Sequence, residues 1–177
     1  MMPDWGIRES VWPTNGSRPT VVVPWDRREF GPIKEEQIQP ASLDVRLGPE
    51  IVTHPRGERI LLSETQSYTL RPGKCVLASL VERLDMWADN VAARIEGKST
   101  WARRFLTVQS AGFIDPGFRG DVTLELKNDG ELDLVFRPGV LIAQISFHFL
   151  AAPAHKLYGD RSLNSHYQQQ IGTTEAR

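Results

Sequence analysis

Short apolar stretches rich in β-branched residues alternate with polar turns along most of the chain, and this pattern predicts a protein made mainly of β-strands. Glycine and proline lie between these stretches, where they mark turns. The candidate strands are residues 20–23, 42–47, 59–62, 67–70, 75–81, 91–95, 106–110, 121–127, 132–136 and 141–150. Their spacing is typical of a β-barrel or jelly roll.

Helix is expected only in short pieces, at residues 5–11 and 99–104, with Ser99 as the N-cap of the second piece. From about Ala151 the apolar periodicity stops, and residues 151–177 form a polar tail. Such a tail is expected to be mobile until a contact orders it. The length of 177 residues suits a single domain that spans the whole chain.

Charge and cysteine content narrow the possible partners. The chain has 21 Lys and Arg against 22 Asp and Glu, and it shows no basic stripe for a nucleic-acid polymer. Cys75 is the only cysteine, so no internal disulfide can form and a reducing, cytoplasmic setting is expected. No apolar run reaches the roughly 18 to 20 residues that span a bilayer, so no membrane partner is expected.

A first candidate for chemistry is the segment EGKSTWAR at residues 96–103, where a glycine, a cation and two hydroxyls meet at a predicted strand-to-helix turn. Backbone amides there, together with Lys98, suit a phosphate chain. The register is not that of a Walker loop, because the second glycine does not fit. A capped turn without a ligand explains the segment equally well.

A second candidate is the loop AGFIDPGFRG at residues 111–120, which carries Asp115 between apolar neighbours. Asp-Pro-Gly is also a common turn, in which Asp115 would accept hydrogen bonds from its own backbone. Because turn signals outnumber active sites in any chain, the turn is favoured when the loop is taken alone.

A third candidate is Glu125 in the predicted strand DVTLELK, where alternation places Val122, Leu124 and Leu126 on one face and Thr123 and Glu125 on the other. If that second face is solvent-exposed, Glu125 is an ordinary strand residue. If it lines a cavity, desolvation raises the pKa of Glu125 toward the range in which a carboxylate exchanges protons with water.

A zinc-dependent nucleobase deaminase is excluded, because the His-x-Glu and Pro-Cys-x-x-Cys segments that hold its metal are both absent. The four histidines, His54, His148, His155 and His166, do not pair at metal-ligand spacing. Any deamination by this chain would therefore proceed without zinc.

Taken together, five segments resemble the dCTP deaminase and dUTPase superfamily in their order and spacing. They are QPASLDVRLG (39–48), EGKSTWAR (96–103), AGFIDPGFRG (111–120), TLE (123–125) and PGVLIAQ (138–144). The resemblance covers roughly residues 31–172. It implies a mainly β, distorted β-barrel or jelly roll of dUTPase-like type with few short helices, which forms a homotrimer with sites shared between subunits.

Two details of the motifs indicate a branch of this superfamily. The Thr-Leu-Glu motif is that of deaminases, since dUTPases lack a glutamate there. Gly112-Phe-Ile-Asp115 resembles the bifunctional deaminases, whereas monofunctional ones carry His-Arg-Ile-Asp. The resemblance thus implies conversion of dCTP to dUMP, diphosphate and ammonia, supplying dUMP for thymidylate synthesis. A monofunctional dCTP deaminase releasing dUTP, a dUTP diphosphatase and a non-catalytic nucleotide-binding regulator remain alternatives.

The resemblance also implies roles for individual residues. Glu125 would activate water and protonate the base and the leaving ammonia, while Ser99 and Arg103 position that water. Asp115 would bind the deoxyribose 3′-hydroxyl and help to place the second water, which attacks the α-phosphate. The further contacts implied for dCTP or dUTP are Lys98, Ser99, Thr100, Trp101, Ala102, Arg103, Ala111, Thr123, Leu124, Gln144, Tyr158, His166 and Gln170.

The same resemblance implies a cofactor and a feedback inhibitor. Mg²⁺ is expected with the triphosphate, held mainly by phosphate and water, and zinc is not expected. Feedback inhibition by dTTP is typical of the family. The tail of residues 151–177 would act as a nucleotide lid, in which His166 stands where the family usually has a lysine.

Overall fold

A computed structural model describes residues 1–109 and 112–176 of the chain. This described part is mainly β, as predicted, and its strands are β1 (Val21–Val22), β2 (Leu43–Thr53), β3 (Arg59–Leu61), β4 (Tyr68–Leu70), β5 (Cys75–Asp85), β6 (Val91–Gly97), β7 (Leu106–Gln109), β8 (Phe113–Ile114), β9 (Arg119–Asn128), β10 (Leu134–Phe136) and β11 (Leu141–Phe149). Its helices are α1 (Asp4–Val11), α2 (Ser99–Ala102) and the 3-10 helices Trp25–Phe30 and Glu35–Gln37.

Most of these strands belong to one antiparallel sheet. Its order is β7-β9-β5-β2-β11-β6-β8, with β1 added to β5 and β3 added to β2. Strands β4 and β10 pair separately. Apolar side chains from across the large sheet form the core, in which Leu43, Leu80, Leu124 and Phe147 are fully buried. The prediction of a mainly β fold with few short helices is confirmed.

Strands β2 and β5 run beyond the ranges predicted from the apolar pattern, to Thr53 and Asp85. The β2–β5 pairing shifts register in β2 between Leu47 and Ile51, and the β5–β9 pairing shifts in β5 between Ser79 and Arg83. Such an irregularity interrupts the two-residue alternation on which the prediction rested. The alternation therefore indicated the strands but not their full length.

The ends of other elements also differ from expectation. Helix α2 ends at Ala102, and its N-cap is Lys98 instead of Ser99, without a side-chain capping hydrogen bond. The last residue of the strand predicted at 106–110, Ser110, lies outside the described residues. Over residues 1–109 and 112–176, no helix has the length and apolar content needed to cross a membrane.

The described part of the tail, residues 151–176, contains no helix or strand but is bonded to the rest of the chain. The Tyr158 amide donates to the Pro116 carbonyl at 2.8 Å. Further along, the Asp121 amide donates to the Gln170 carbonyl at 3.0 Å. The tail therefore lies against β9 and the loop that precedes it.

A buried ion pair joins the 3-10 helix Trp25–Phe30 to β9. Arg27 Nη2 donates to Asp121 Oδ2, and the two side chains are 6% and 2% exposed. Arg27 Nη1 donates to the Leu80 carbonyl on β5 at 2.7 Å, and Asp121 Oδ2 accepts from the Gly172 amide of the tail at 2.6 Å. Four separate segments of the chain thus meet at this pair.

We expect Arg27→Met to lower the free energy of unfolding by about 3 to 5 kcal/mol, because the Asp121 carboxylate would remain buried without its partner charge. The control Arg94→Met removes an ion pair with Glu96 in which both side chains are more than half exposed, and should cost less than about 1 kcal/mol. Urea denaturation measures both. Equal losses would contradict the structural role given to the Arg27–Asp121 pair.

Candidate active site

A cavity of about 330 Å³ lies between β9, the loop of residues 112–118 and the tail. The sequence-predicted site residues in its wall are Asp115, Thr123, Glu125, Tyr158 and Gln170. They come from three segments that are distant in sequence, so the fold brings them together. Among the described residues that line the cavity, none is Lys, Arg or His.

Glu125 is the carboxylate set deepest in this wall. Strand β9 holds it between Leu77 of β5 and Gln109 of β7, and its side chain is half-buried. Its Oε2 is buried and accepts no hydrogen bond from any described residue. Burial raises the pKa of Glu125, and a hydrogen bond from its own backbone only partly opposes this. A carboxylate of this kind can take a proton from a bound water and return it.

Two further polar side chains in the cavity wall, those of Thr123 and Gln170, can contact a ligand. Thr123 lies two residues before Glu125 on the same face of β9, and its Oγ1 accepts from the Thr174 amide at 3.0 Å. Gln170 Nε2 donates to the Asp121 carbonyl, whereas Gln170 Oε1 is buried and accepts nothing from the described residues. That amide oxygen can accept a hydrogen bond from an N–H group of a ligand.

Tyr158 closes one side of the cavity. Its hydroxyl accepts from the Tyr167 amide at 3.1 Å, and its ring packs edge-on against Phe118 with centroids 5.6 Å apart. The tail approaches the loop closely at Gly117, where φ is +91° and an added Cβ would lie 2.6 Å from Leu157 Cβ. A glycine is therefore required at this contact.

Asp115 stands at the rim of the cavity with its side chain exposed. The Phe118 amide donates to the Asp115 carbonyl at 3.2 Å, which closes a turn. The turn that the sequence favours at this residue is thus present, and the same residue also lines the cavity. Its carboxylate can meet a polar group of a ligand that enters the cavity.

The second group of predicted residues lies around α2. Lys98 Nζ donates to Asp44 Oδ2, an ion pair with exposures of 22% and 4%. Ser42 Oγ donates to Gln144 Oε1 at 3.5 Å, and Gln144 is opposite Asp44 in the β2–β11 pairing. This group therefore has internal partners, and the charge of Lys98 is already balanced by Asp44.

The exposed residues of this second group do not line the Glu125 cavity. Ser99, Thr100, Ala102 and Arg103 are all exposed on and after α2. Arg103 instead borders a separate groove of about 700 Å³. Within one chain, the structure therefore gathers one half of the predicted site around Glu125 and leaves the other half on a different surface.

Four predicted contacts need separate comment. The side chains of Trp101 and Leu124 are buried in the core, so only their backbone atoms are available to a ligand. Trp101 Nε1 donates to the Leu141 carbonyl at 2.9 Å. His166 is exposed and does not line the cavity, and Ala111 lies outside the described residues.

Sequence reasoning missed several residues of the cavity. Tyr167, Thr174 and Ala176 of the tail line it, as does Leu77 of β5. The aromatic residues of an otherwise polar tail were the available signal for Tyr167. Nothing in the local sequence marks Thr174 or Ala176, because their position follows from how the tail packs.

Comparison with known proteins adds to this geometry. A family model described as dCTP deaminase-like matches residues 25–150. The chain is 38% identical over 167 residues to the dUMP-forming dCTP deaminase of Beutenbergia cavernae, covering 85% of this chain and 86% of that protein. It is 41% identical over 167 residues to the enzyme of the same name from Clavibacter michiganensis subsp. michiganensis, covering 85% and 83%.

Comparison with solved structures shows the same fold in a known protein. The crystal structure of 2′-deoxycytidine 5′-triphosphate deaminase from Agrobacterium tumefaciens superposes with a TM-score of 0.68 at 23% identity. The match covers 84% of this chain and 47% of that one, so this chain corresponds to about half of it. The family model and these relatives together establish that the chain belongs to the dCTP deaminase-like family.

Proposed function

We propose that this protein is a dCTP deaminase that forms dUMP, converting dCTP and two waters to dUMP, diphosphate and ammonia. The observation that carries the proposal is Glu125, a carboxylate of raised pKa in the wall of a cavity of about 330 Å³. Family membership and the names of the relatives support the same reaction. The dUMP would supply thymidylate synthesis.

Deamination needs one group that accepts and returns protons. Glu125 would take a proton from the water whose oxygen attacks C4 of cytosine, and would deliver it to N3. It would then transfer the remaining proton of that oxygen to the amino group, so that the C4–N bond breaks and ammonia leaves. A half-buried carboxylate suits both transfers, because its raised pKa brings its proton affinity closer to the working pH.

The second hydrolysis, which releases diphosphate, would involve Asp115. Asp115, at the rim, would bind the deoxyribose 3′-hydroxyl and help to orient the water that attacks the α-phosphate, releasing diphosphate. Thr123 and Gln170 would contact the nucleobase, since both line the same cavity as Glu125 and Gln170 Oε1 is a buried acceptor without a partner among the described residues. Both steps would then occur on one bound nucleotide.

The remaining site residues are assigned to a second subunit of a homotrimer. A triphosphate carries about four negative charges, yet the described lining residues of the cavity include no Lys, Arg or His. Ser99 and Arg103 are exposed and lie outside the cavity of their own chain, so they can reach the cavity of a neighbour. Lys98 would add less charge, because Asp44 already pairs with it.

Mg²⁺ belongs with the triphosphate in this proposal. The described residues hold no group of three or more His, Cys, Asp or Glu side chains suited to a metal, while phosphate oxygens are the hard ligands that Mg²⁺ prefers. When bound, the ion would neutralise charge on the phosphates.

Residues 151–177 would serve as the lid of a single domain spanning residues 1–177. The cytoplasm is the expected location, and dTTP the expected feedback inhibitor.

The proposal is tested by incubating the protein with Mg²⁺ and dCTP, and separately with dUTP, and resolving the products by anion-exchange chromatography. We expect dUMP and ammonia from dCTP without accumulation of dUTP. If dUTP accumulates, the enzyme is a monofunctional deaminase. If only dUTP is consumed, it is a dUTP diphosphatase, and if nucleotide binds without turnover, it is a regulator.

Glu125→Gln should reduce ammonia release from dCTP by at least about 100-fold while leaving nucleotide affinity nearly unchanged, because the amide keeps the shape of the side chain but cannot accept the proton. Ammonia release and calorimetric binding measure the two effects. Glu64→Gln, at an exposed loop carboxylate, is the matched control and should behave as wild type. Retained ammonia release in Glu125→Gln would contradict the assignment of Glu125 as the proton acceptor.

Shared sites can be tested by complementation between Arg103→Ala and Glu125→Gln, each expected to be inactive alone. After subunit exchange in a 1:1 mixture, about one quarter of the sites should combine an intact Arg103 with an intact Glu125 from the neighbour, by random assembly. Ammonia release should recover to that fraction. If the mixture stays inactive although mixed trimers form, both residues act within one chain.

A further inference from the structure

The C-terminal part of the tail contains a residue that is buried far more than its setting predicts. Thr173 is 1% exposed although it lies near the end of a segment without regular secondary structure. Its amide donates to Glu50 Oε2 at 2.5 Å, and its Oγ1 donates to the Glu50 carbonyl at 3.1 Å. Its own carbonyl accepts from Arg59 Nη1 at 3.0 Å. All of its polar groups are thus bonded to the β2–β3 hairpin.

The residues on either side of Thr173 bind to β9 instead. The Gly172 amide donates to Asp121 Oδ2 at 2.6 Å, and the Thr174 amide donates to Thr123 Oγ1 at 3.0 Å. Asp121 and Thr123 are two residues apart on β9, and the next residue on that face is Glu125. Alternate residues of the tail therefore bond to β9, the strand that carries Glu125, while Thr173 between them bonds to the hairpin.

Gly172 permits this contact. Its φ is +68°, and an added Cβ would lie 2.6 Å from Glu50 Oε2. Another residue would be strained at this φ, and its Cβ would displace the Glu50 carboxylate from its place beside the tail. The glycine thus allows the Thr173 amide to reach the Glu50 carboxylate.

Glu50 is well suited to hold the tail. Burial disfavours its charged form, but hydrogen bonds from Thr173 and Arg59 outweigh this and keep the pKa of Glu50 below its ordinary value. Glu50 is therefore ionised at neutral pH, and Arg59 Nη1 lies 2.8 Å from its Oε1. A hydrogen bond from an amide to a carboxylate is stronger than one to a neutral acceptor.

We propose that Thr173 is a positioning residue, whose clamp on Glu50 and Arg59 holds Gln170 and Thr174 in the wall of the Glu125 cavity. The inference rests on the proposed function, because Gln170 is a proposed contact to the nucleobase. The tail is then a strap, bonded to residues 116–123 along its length and clamped to the β2–β3 hairpin at Thr173. The clamp lies between two residues of the cavity wall, Gln170 before it and Thr174 after it.

The test compares Thr173→Val, which removes the hydroxyl at nearly constant volume, with Thr173→Ser, which restores it. We expect Thr173→Val and Glu50→Ala to raise the KM for dCTP by roughly 3- to 10-fold with kcat changed less than about 2-fold, as the loss of one or two hydrogen bonds implies. Thr173→Ser should stay near wild type. Thr14→Val, which removes an exposed hydroxyl bonded to Glu9, is the control.

Hydrogen–deuterium exchange at the amides of Gly172 and Thr174, measured without nucleotide, gives a readout that does not depend on turnover. Exchange should be faster in Thr173→Val and Glu50→Ala than in wild type and Thr173→Ser. If it is unchanged, the clamp is absent; if it is faster while KM is unchanged, the clamp holds the tail but does not position the site.

If the wild-type protein turns over no dCTP, the proposed function fails, whereas exchange still decides whether the clamp exists. Calorimetric affinity for dCTP and dUTP then replaces KM. A lower affinity in Thr173→Val, restored in Thr173→Ser, would support the positioning role in a binding protein. Equal affinity in both variants would overturn it.

Discussion

The buried pair of Arg27 and Asp121 is the contact on which the arrangement of the site depends. It lies beside a shift in the β5–β9 pairing, between Ser79 and Arg83, where the regular ladder is interrupted. Arg27 bonds a carbonyl of β5 near this shift, while Asp121 binds the tail through Gly172. Removing two charges from water is costly, so the pair depends on the further hydrogen bonds that its members make to Leu80 and Gly172. The N-terminal segment, the sheet and the tail are therefore held in one arrangement.

Asp121 and Glu125 are two carboxylates on one face of β9, and their different partners give them different roles. Asp121 has a guanidinium and an amide as partners, and it is structural. Glu125, four residues later on the same face, is half-buried, and its Oε2 accepts no hydrogen bond from the described residues. Burial without a partner charge raises the pKa of Glu125. The same strand thus carries one residue that fixes the tail and one that is suited to proton transfer.

The sequence predicted those features that depend on neighbouring residues. Alternation along β9 correctly separated Thr123 and Glu125 from the core, and the Asp115 turn was correctly anticipated. Features that depend on distant contacts were missed. Thr174 reaches Thr123 across 51 positions, and the pairing of Lys98 with Asp44 spans 54. No local pattern encodes such contacts, because they arise only when the sheet and the tail have packed.

In the shared site proposed above, the division between subunits also affects the chemistry of Glu125. In a single chain, burial raises its pKa and favours the protonated form, which cannot act as a base. A neighbouring Arg103 would supply a positive charge close to the carboxylate and would favour its ionised form. Assembly would then do more than complete the set of contacts, since the neighbouring charge would favour the ionised form of Glu125, which is the form that accepts the first proton.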